Sequence, residues 1–141
     1  MAAELYTLLD FHHVQRCYLL LYSKDPEADR AFFRDVLQFP AVDAGGGWLI
    51  FGLPPAELGI HPTGDGEFQQ LHADHRLLGA VLYLMCDDLQ AVVQSLKLKR
   101  VRCSEVQTAD WGSKTTITLP SGGEIGLYQP AHITALNLRA S

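Results

Sequence analysis

A short sequence phrase occurs twice in this chain. Residues 53–62 read LPPAELGIHP, and residues 119–130 read LPSGGEIGLYQP. Both run from Leu-Pro through a turn to Glu, an apolar residue, Gly and a second apolar residue, and both close on Pro. Glu57 and Glu124 are about 67 residues apart in a chain of 141, which indicates a duplicated module. Two such halves would pair with each other, so the cleft between them is the predicted place for function.

Each copy of the phrase ends a half that begins with an apolar segment. Residues 18–22 (YLLLY) lead to Asp25, and residues 81–85 (VLYLM) lead to Asp88. Apolar runs of this length are typical of strands. An Asp at this point, followed in the first half by proline, is typical of a helix start. Each half therefore opens with a predicted strand and a predicted helix.

Both predicted helices have an apolar stripe along one face. The first stripe has i, i+4 spacing, and the second has i, i+3, i+4, i+7 spacing. Stripes of this kind predict amphipathic helices that pack on a core. The residues are Ala28, Phe32 and Val36 in the first helix, and Leu89, Val92, Val93 and Leu96 in the second.

Apolar runs punctuated by glycine follow each helix and predict three further strands in each half. They are residues 41–43, 48–53 and 57–61, and then 101–106, 115–119 and 124–128. The polar residues 62–79 between the halves are predicted to be a linker. The predicted fold is α+β: a single domain of residues 1–141, in which two pseudo-symmetric βαβββ modules, about 16–62 and 79–130, form a curled mixed β-sheet around a cleft. The first 15 residues have no counterpart, and we expect an extra helix or a dimer-contacting arm there.

Composition excludes several classes of partner. The net charge is −5, so nothing electrostatic favours nucleic acid or an anionic membrane surface. No apolar run approaches the roughly 18–20 residues of a membrane span, and the first residues lack the basic and apolar regions of a secretory signal. The cysteines Cys17, Cys86 and Cys103 form no CxxC pair, which is typical of reduced thiols. We therefore expect a cytoplasmic protein.

Strand alternation sorts the residues of the predicted sheet into two faces. One phase, expected to pack under the helices, consists of Leu58, Ile60, Ile125 and Leu127. The other phase faces the cleft, which is predicted to be aromatic with few polar groups, as small-molecule sites tend to be. The candidate ligand-binding residues are Tyr18, Tyr22, Glu57, Gly59, His61, Tyr83, Met85, Trp111, Glu124, Gly126 and Tyr128.

Together these segments resemble the vicinal oxygen chelate superfamily, which includes glyoxalase I, bleomycin-resistance proteins, fosfomycin-resistance proteins and extradiol dioxygenases. The resemblance lies in YLLLYSKDPEADRAFFRDVLQFP, LYLMCDDLQAVVQSL and TITLPSGGEIGLYQP, and it covers about residues 16–130. It implies a homodimer and a ligand cleft between paired modules. The resemblance is specific for the fold and says little about the reaction, since this fold hosts many chemistries.

For metal-using members, the resemblance implies ligands early in the first strand and within the last strand of each half. Carried onto this chain, those positions are Tyr18, Val81, Gly59 and Gly126. None has a side chain suited to a divalent metal, which needs about three N, O or S donors from the protein. The resemblance therefore favours binding without a metal. Gly59 and Gly126 would either open space for a ligand or relieve crowding in a curled sheet.

A shifted set of donors is the alternative. His61, Glu57 and Glu124 share the cleft-facing phase, and a divalent metal ion held by them would polarise a pair of substrate oxygens. Glu57 and Glu124 could form a general acid–base pair, but glutamates at strand ends usually lie in water, and this second interpretation is favoured. His72 and His75 fall in the predicted linker, where surface histidines are common.

The predicted function is the binding of a small molecule, as in sequestration of a drug or metabolite, without a metal or other cofactor. The alternative is a metal-dependent lyase, isomerase or dioxygenase with its ligands around His61. The expected partners are a small-molecule ligand and a second copy of the chain. The sequence contains no phosphate-binding glycine loop and no GxSxG elbow, so neither nucleotide use nor nucleophilic hydrolysis is supported.

Overall fold

The computed structural model describes residues 16–64 and 69–136. This part of the chain has an α+β fold, as predicted, with short strands in three small sheets. The helices are α1 (Pro26–Asp35) and α2 (Leu89–Leu98). The strands are β1 (Ala41–Asp43), β2 (Leu49–Phe51), β3 (Gln69–His72), β4 (His75–Leu78), β5 (Tyr83–Met85), β6 (Gln107–Ala109), β7 (Gly112–Thr118) and β8 (Glu124–Pro130). Among the described residues, no helix is long and apolar enough to cross a membrane.

The largest sheet has four strands in the order β5-β8-β7-β6. Strand β5 runs parallel to β8, whereas β7 is antiparallel to both β8 and β6. Strand β8 therefore has a neighbour on each side, and β5 and β6 are the edges. Strands β1 and β2 form a separate antiparallel pair, as do β3 and β4. From β5 onward, the elements follow the order of strand, helix and three strands that the sequence predicts for the second half.

One face of the four-stranded sheet contributes to a core that includes both helices. Alternate residues of β7 and β8 are buried on this face, and Ile117 is fully buried. The core consists of Phe32, Phe33, Leu89, Val93, Leu96, Val101, Ile117, Leu119, Ile125 and Leu127. Burial of one such side chain stabilises a fold by about 1.5–3 kcal/mol. Because both described helices contribute to this cluster, neither of them lies on the opposite face of the sheet.

An aspartate caps each helix at the position that the sequence predicts. The Asp25 carboxylate accepts the Ala28 N–H at 3.2 Å, and the Asp88 carboxylate accepts the Ala91 N–H at 3.1 Å. Pro26 is the first residue of α1, where its missing N–H costs nothing. A side-chain cap of this kind stabilises a helix by about 0.5–2 kcal/mol. The two caps fix where each helix begins relative to the preceding segment.

Two predicted strands of the first half are not strands in the structure. Residues 18–22 and 57–61, which we call the unpaired segments, have no strand pairing among the described residues. Leu58 is 87% exposed and Ile60 is 90% exposed, so the prediction that they pack under the helices is wrong for a single chain. A strand requires a neighbour for its N–H and C=O groups. Neither segment finds that neighbour within the described part of its own chain.

The predicted linker, residues 62–79, contains the β3–β4 hairpin. Its turn residues, Ala73 and Asp74, have φ values of 48° and 67°. A two-residue turn with both φ values positive matches the twist of antiparallel strands. His72 and His75 are paired directly across this turn. The hairpin was not predicted because its strands, QQLH and HRLL, lack a regular alternation of apolar and polar residues and its turn lacks the usual glycine.

The predicted strand at 101–106 is only partly formed. Cys103 makes an isolated bridge to Ile117, and the regular strand β6 begins beyond this segment. The ladder is interrupted because the Thr116 N–H donates to the Ser104 hydroxyl at 2.9 Å. A side chain thus takes the place of a backbone acceptor at this point, which is typical of serine near strand ends.

One buried carboxylate connects α1 to the turn before β8. Asp29 is 7% exposed, and its carboxylate accepts the Ser23 hydroxyl at 2.6 Å and the Ser121 N–H at 3.0 Å. A carboxylate at this depth needs such partners to offset the loss of water. Asp29 therefore links a helix of the first half to a turn of the second.

We expect Asp29→Ala to lower the free energy of unfolding by about 1–3 kcal/mol, the range for a buried group whose hydrogen-bond partner is removed. Alanine takes away both acceptor contacts and leaves the Ser121 N–H without its bond. Urea unfolding followed by circular dichroism measures the change. Glu27→Ala is the matched control, since it removes an exposed carboxylate from the same helix. Equal losses in the two variants would contradict the linking role of Asp29.

Candidate functional site

The candidate site lies on the face of the four-stranded sheet opposite the two described helices, and we call this face the open face. Strand register places two rows of residues across it. The first row consists of Gln107, Lys114, Tyr128 and Met85, paired in that order from β6 to β5. The second row consists of Thr116, Gly126 and Tyr83. Because side chains alternate along a strand, both rows project away from the core.

Three rings lie around the ring of one tyrosine at the open face. We call Tyr83, Trp111, Tyr128 and His132 the aromatic cluster. The Tyr128 ring centroid lies 5.9 Å from that of Tyr83, 6.0 Å from that of Trp111 and 5.6 Å from that of His132. Favourable aromatic pairs have centroids about 4.5–7 Å apart. The Tyr128 hydroxyl also donates to the Trp111 carbonyl oxygen at 2.7 Å, which holds the two residues together.

The space above Gly126 is filled by the ring of Tyr83. A Cβ added at Gly126 would lie 2.2 Å from Cδ1 and 2.8 Å from Cγ of Tyr83. The absence of a side chain therefore lets the ring of the neighbouring strand lie on the backbone, a common role of glycine in strands. The expectation that Gly126 opens space for a ligand is therefore wrong in this chain, because the Tyr83 ring fills that space. At Gly59, in contrast, no atom lies within 4 Å of the corresponding position.

A cavity of about 400 Å³ lies beside the aromatic cluster. Tyr83 is the aromatic part of its wall, and the polar part consists of Ser104, Glu105, Gln107, Lys114, Thr115 and Thr116. Sites for small molecules have volumes of about 300–1,000 Å³ and combine apolar walls with a few polar groups. The cavity is therefore large enough for a compound of two or three fused rings.

Several hydroxyl groups at the cavity are already hydrogen-bonded. The Thr115 hydroxyl donates to the Ser104 carbonyl oxygen at 2.6 Å, and the Thr116 hydroxyl donates to the Glu124 carboxylate at 2.8 Å. Glu124, a predicted site residue, thus contacts the site through Thr116. These fixed hydroxyls shape the cavity, while the longer side chain of Lys114 supplies its positive charge.

The polar wall of the cavity was not predicted from the sequence. Its residues lie outside the doubled phrase and outside residues 18–22 and 81–85, the segments to which the sorting of faces was applied. The alternation of β7, in which Ile117 is buried while Lys114 and Thr116 are half-buried, is the signal that identifies them. Applied to the predicted strand 115–119, the same sorting places Thr116 on the cleft-facing side, whereas Lys114 lies one residue before that strand.

The structure separates the predicted site residues of the first half from the aromatic cluster. They are Tyr18, Tyr22, Glu57, Gly59 and His61, all in the unpaired segments. The Tyr22 hydroxyl contacts Nδ1 of His72, and the Glu57 carboxylate accepts the Ala135 N–H at 2.6 Å. Within the described residues, no hydrogen bond or ring contact joins these five side chains to the cluster. Tyr83, Met85, Trp111, Gly126 and Tyr128, in contrast, are brought together at the open face.

The described residues do not fit a metal centre of the superfamily type. The four positions that the resemblance implies are Tyr18, Val81, Gly59 and Gly126, and none carries a donor suited to a divalent metal. Across residues 16–64 and 69–136, no group of three or more His, Cys, Asp or Glu side chains could hold a metal ion. The alternative donors also have other contacts, since Glu57 bonds to Ala135 and Glu124 to Thr116.

The cysteines near the sheet are poor nucleophiles. Burial raises the pKa of the Cys86 thiol, and the neighbouring charge of Asp87 raises it further. Burial also raises the pKa of the Cys103 thiol. A raised pKa lowers the fraction of thiolate, which is the reactive form. The site therefore offers aromatic and hydrogen-bonding groups and no activated thiol at these two positions.

Comparison with solved structures finds the same fold in proteins of low sequence identity. TnmS3, an antibiotic binding protein from Streptomyces sp. CB03234, is 21% identical, with a TM-score of 0.52 over 82% of this chain and 98% of its own. A lactoylglutathione lyase from Agrobacterium tumefaciens is 15% identical, with a TM-score of 0.53 over 81% and 94%. A member of the glyoxalase/bleomycin resistance protein/dioxygenase superfamily from Sphaerobacter thermophilus DSM 20745 is 19% identical, with a TM-score of 0.50 over 81% and 98%.

These likenesses show the fold: the chain has the vicinal oxygen chelate fold that its sequence resembles. No protein-family model matches the chain, and the search of curated proteins found no match. The similar structures carry names as different as a binding protein and a lyase. Because one fold hosts many functions, the function of this chain has to be argued from its site.

We expect Gly126→Ala to lower the free energy of unfolding by about 1–3 kcal/mol, the usual cost of overpacking. The new methyl group would meet the Tyr83 ring at 2.2 Å and force it off the sheet. Urea unfolding measures the loss, and a change in the near-ultraviolet circular dichroism reports the displaced ring.

Gly59→Ala is the matched control for this prediction. It changes the twin glycine, where a Cβ meets no atom within 4 Å, so its effect should stay within about 0.5 kcal/mol. In a double variant, Tyr83→Ala added to Gly126→Ala removes the ring that the new methyl group meets. The double variant should therefore recover part of the unfolding free energy that Gly126→Ala alone loses. If Gly126→Ala is as stable as Gly59→Ala, the close contact with Tyr83 is not a constraint on the fold.

Proposed function

We propose that this protein binds a planar aromatic small molecule at the open face, without a metal ion. The observation that carries this proposal is the aromatic cluster beside a cavity of about 400 Å³. Tyr83 is 41% exposed and Trp111 is 37% exposed, although both belong to an ordered group of rings. Rings that are held in place and still reach solvent are suited to bind a ligand.

Stacking on fixed rings supplies favourable energy at low entropic cost. An aromatic pair contributes about 0.5–1.5 kcal/mol beyond the effect of buried area. The hydrogen bond from Tyr128 to the Trp111 carbonyl oxygen and the packing of Tyr83 on Gly126 already restrict two side chains, those of Tyr128 and Tyr83. Binding of a ligand would therefore order few additional side chains, and the entropic cost of ordering would offset less of the favourable contact energy.

Sequestration of a drug or metabolite is the role that fits this chemistry best. It requires complementary shape and stacking, and it requires no group that attacks or ionises the ligand. One protein of the same fold is an antibiotic binding protein, which supports sequestration as a function that this fold can perform. The donor-poor positions Tyr18, Val81, Gly59 and Gly126 support binding without a metal.

We further propose that the protein works in the cytoplasm. Cys17, Cys86 and Cys103 are free thiols, and disulfide bonds are typical of oxidising compartments. Two of these thiols are half-buried, where they serve as small apolar side chains.

Trp111→Ala should weaken the binding of phenazine-1-carboxamide, a neutral planar probe, by about tenfold, because a ring contact and its buried apolar area are lost together. Isothermal titration calorimetry measures the dissociation constant. Trp48→Ala is the matched control: Trp48 is 48% exposed and its ring contacts Arg30 rather than the cluster. This variant should bind like the wild type.

The same titration tests whether a metal takes part. Treatment of the protein with EDTA, followed by dialysis, should leave the dissociation constant unchanged. A loss of affinity after EDTA that Zn²⁺ or Mn²⁺ restores would contradict binding without a metal. Equal effects of Trp111→Ala and Trp48→Ala would contradict the assignment of the open face as the site.

We also propose that two copies of the chain form a homodimer through the unpaired segments. The doubled phrase forms the internal strand β8 in one copy, whereas the other copy, at residues 57–61, has no strand partner in the described chain. Both unpaired segments, residues 57–61 and 18–22, contain apolar residues that are exposed. Tyr18, for example, is 66% exposed and Ile60 is 90% exposed. Exposed apolar segments that can still pair are typical of interfaces.

A second copy is the partner that matches these segments. A twofold axis brings the same segment of each chain to the other, so every contact is made twice. In each chain, β5 is also an edge strand of the sheet that the described residues form, and an edge strand can accept a further strand. The net charge of −5 on each chain opposes association weakly, and apolar burial has to exceed it.

Replacing Leu58 and Ile60 together by glutamate should convert the dimer to a monomer, because two charges would enter an apolar contact. Size-exclusion chromatography with light scattering measures the molecular mass. Leu98→Glu is the control, since Leu98 is 86% exposed and lies at the end of α2, outside both segments. A wild-type protein that is monomeric at micromolar concentration would contradict the proposed dimer.

A further inference from the structure

We infer that the ligand is a planar aromatic acid and that Lys114 selects its anionic group, an inference that rests on the proposed function. Lys114 is the single cation among the residues that line the cavity. It lies between Gln107 and Tyr128 in the first row of the open face. Its ammonium nitrogen is 5.1 Å from the centroid of the Trp111 ring. The positive charge therefore lies where the polar wall of the cavity meets the aromatic cluster.

This placement suits a ligand that has an apolar face and a negatively charged edge. A ring system stacked on Trp111 or Tyr83 would bring its edge toward the Lys114 ammonium, which has three N–H donors. Within the described part of the chain, the Lys114 ammonium makes no ion pair and no hydrogen bond, and its polar contact is with the Trp111 ring alone. Hydrogen bonds between an ammonium and a carboxylate are about twice as strong as neutral ones.

One charge at the cavity opposes this preference. Glu105 lines the same cavity and would repel an anion. However, Glu105 is exposed, whereas Lys114 is half-buried and fixed at the centre of three strands. Solvent and salt screen an exposed charge more strongly than a half-buried one. The attraction by Lys114 therefore outweighs the repulsion by Glu105.

The hydroxyl groups of the cavity do not provide the same selection. The Thr115 hydroxyl already donates to the Ser104 carbonyl oxygen, and the Thr116 hydroxyl donates to Glu124. Each of these protons is committed to an acceptor of the protein. The Gln107 side-chain amide has both donors and an acceptor and can bond to either group, so discrimination between an acid and its neutral amide depends on the two charged side chains.

Two probes with the same ring system test the inference: phenazine-1-carboxylate and phenazine-1-carboxamide, titrated calorimetrically into the full chain at pH 7.5. The wild type should bind the carboxylate about tenfold more tightly than the amide, the effect of one charge-assisted hydrogen bond. Lys114→Met keeps the length of the side chain and removes its charge, and it should bring this ratio close to one. Lys114→Arg should keep the preference, and Glu105→Gln should increase it.

The outcomes separate this inference from the function on which it rests. A wild type that binds both probes equally, or a Lys114→Met variant that keeps the wild-type ratio, would overturn the selection of an anion and leave the binding function intact. If neither probe binds the wild type, the proposed function fails and this inference fails with it. Circular dichroism and the melting temperature of each variant show whether it is folded.

Discussion

Strand β8 carries the core and the candidate site at the same time, because successive side chains of a strand point to opposite faces of its sheet. Ile125 and Leu127 are buried in the core, while Gly126 and Tyr128 belong to the open face. Pairing with β5 on one side and β7 on the other fixes this assignment. A slip of one residue in the register would exchange the two sets and expose the core residues. Core packing therefore also positions the aromatic cluster.

The same phrase at residues 57–61 shows that an alternating pattern alone does not make a strand. Its spacing of Glu, apolar residue, Gly and apolar residue matches that of β8, but Leu58 and Ile60 are exposed. The second half follows the predicted order of strand, helix and three strands because its strands have partners within the chain, although the predicted strand at 101–106 is only partly formed. In the first half more strands are predicted than form, since pairing depends on a neighbour that local sequence does not specify. The β3–β4 hairpin is the opposite case. Its strands pair with each other although neither has an alternating apolar pattern, so it was not predicted.

Half of the candidate site could be predicted from alternation, and the other half depended on long-range register. Tyr83, Gly126 and Tyr128 fall in one phase of predicted strands, and the structure brings them together. The position of Lys114 depends on where β7 begins, which Gly112 determines. Its φ is 136°, and a Cβ there would lie 2.2 Å from the Gln129 carbonyl oxygen. Only glycine permits this close approach of β7 to β8, and no local pattern revealed it.

The twin glycines connect the site to the proposed dimer. Tyr83 lies on Gly126 because β5 and β8 are paired in register, and the corresponding residue of the first apolar segment is Leu20. Gly59 has no side chain above it in the described chain, as expected for a strand position whose neighbour is missing. If the unpaired segments pair in the dimer as β5 and β8 do, Leu20 would cover Gly59. The first half would then present an aliphatic residue at the position where the second half presents the Tyr83 ring, so the two glycines would be covered by side chains of different chemistry.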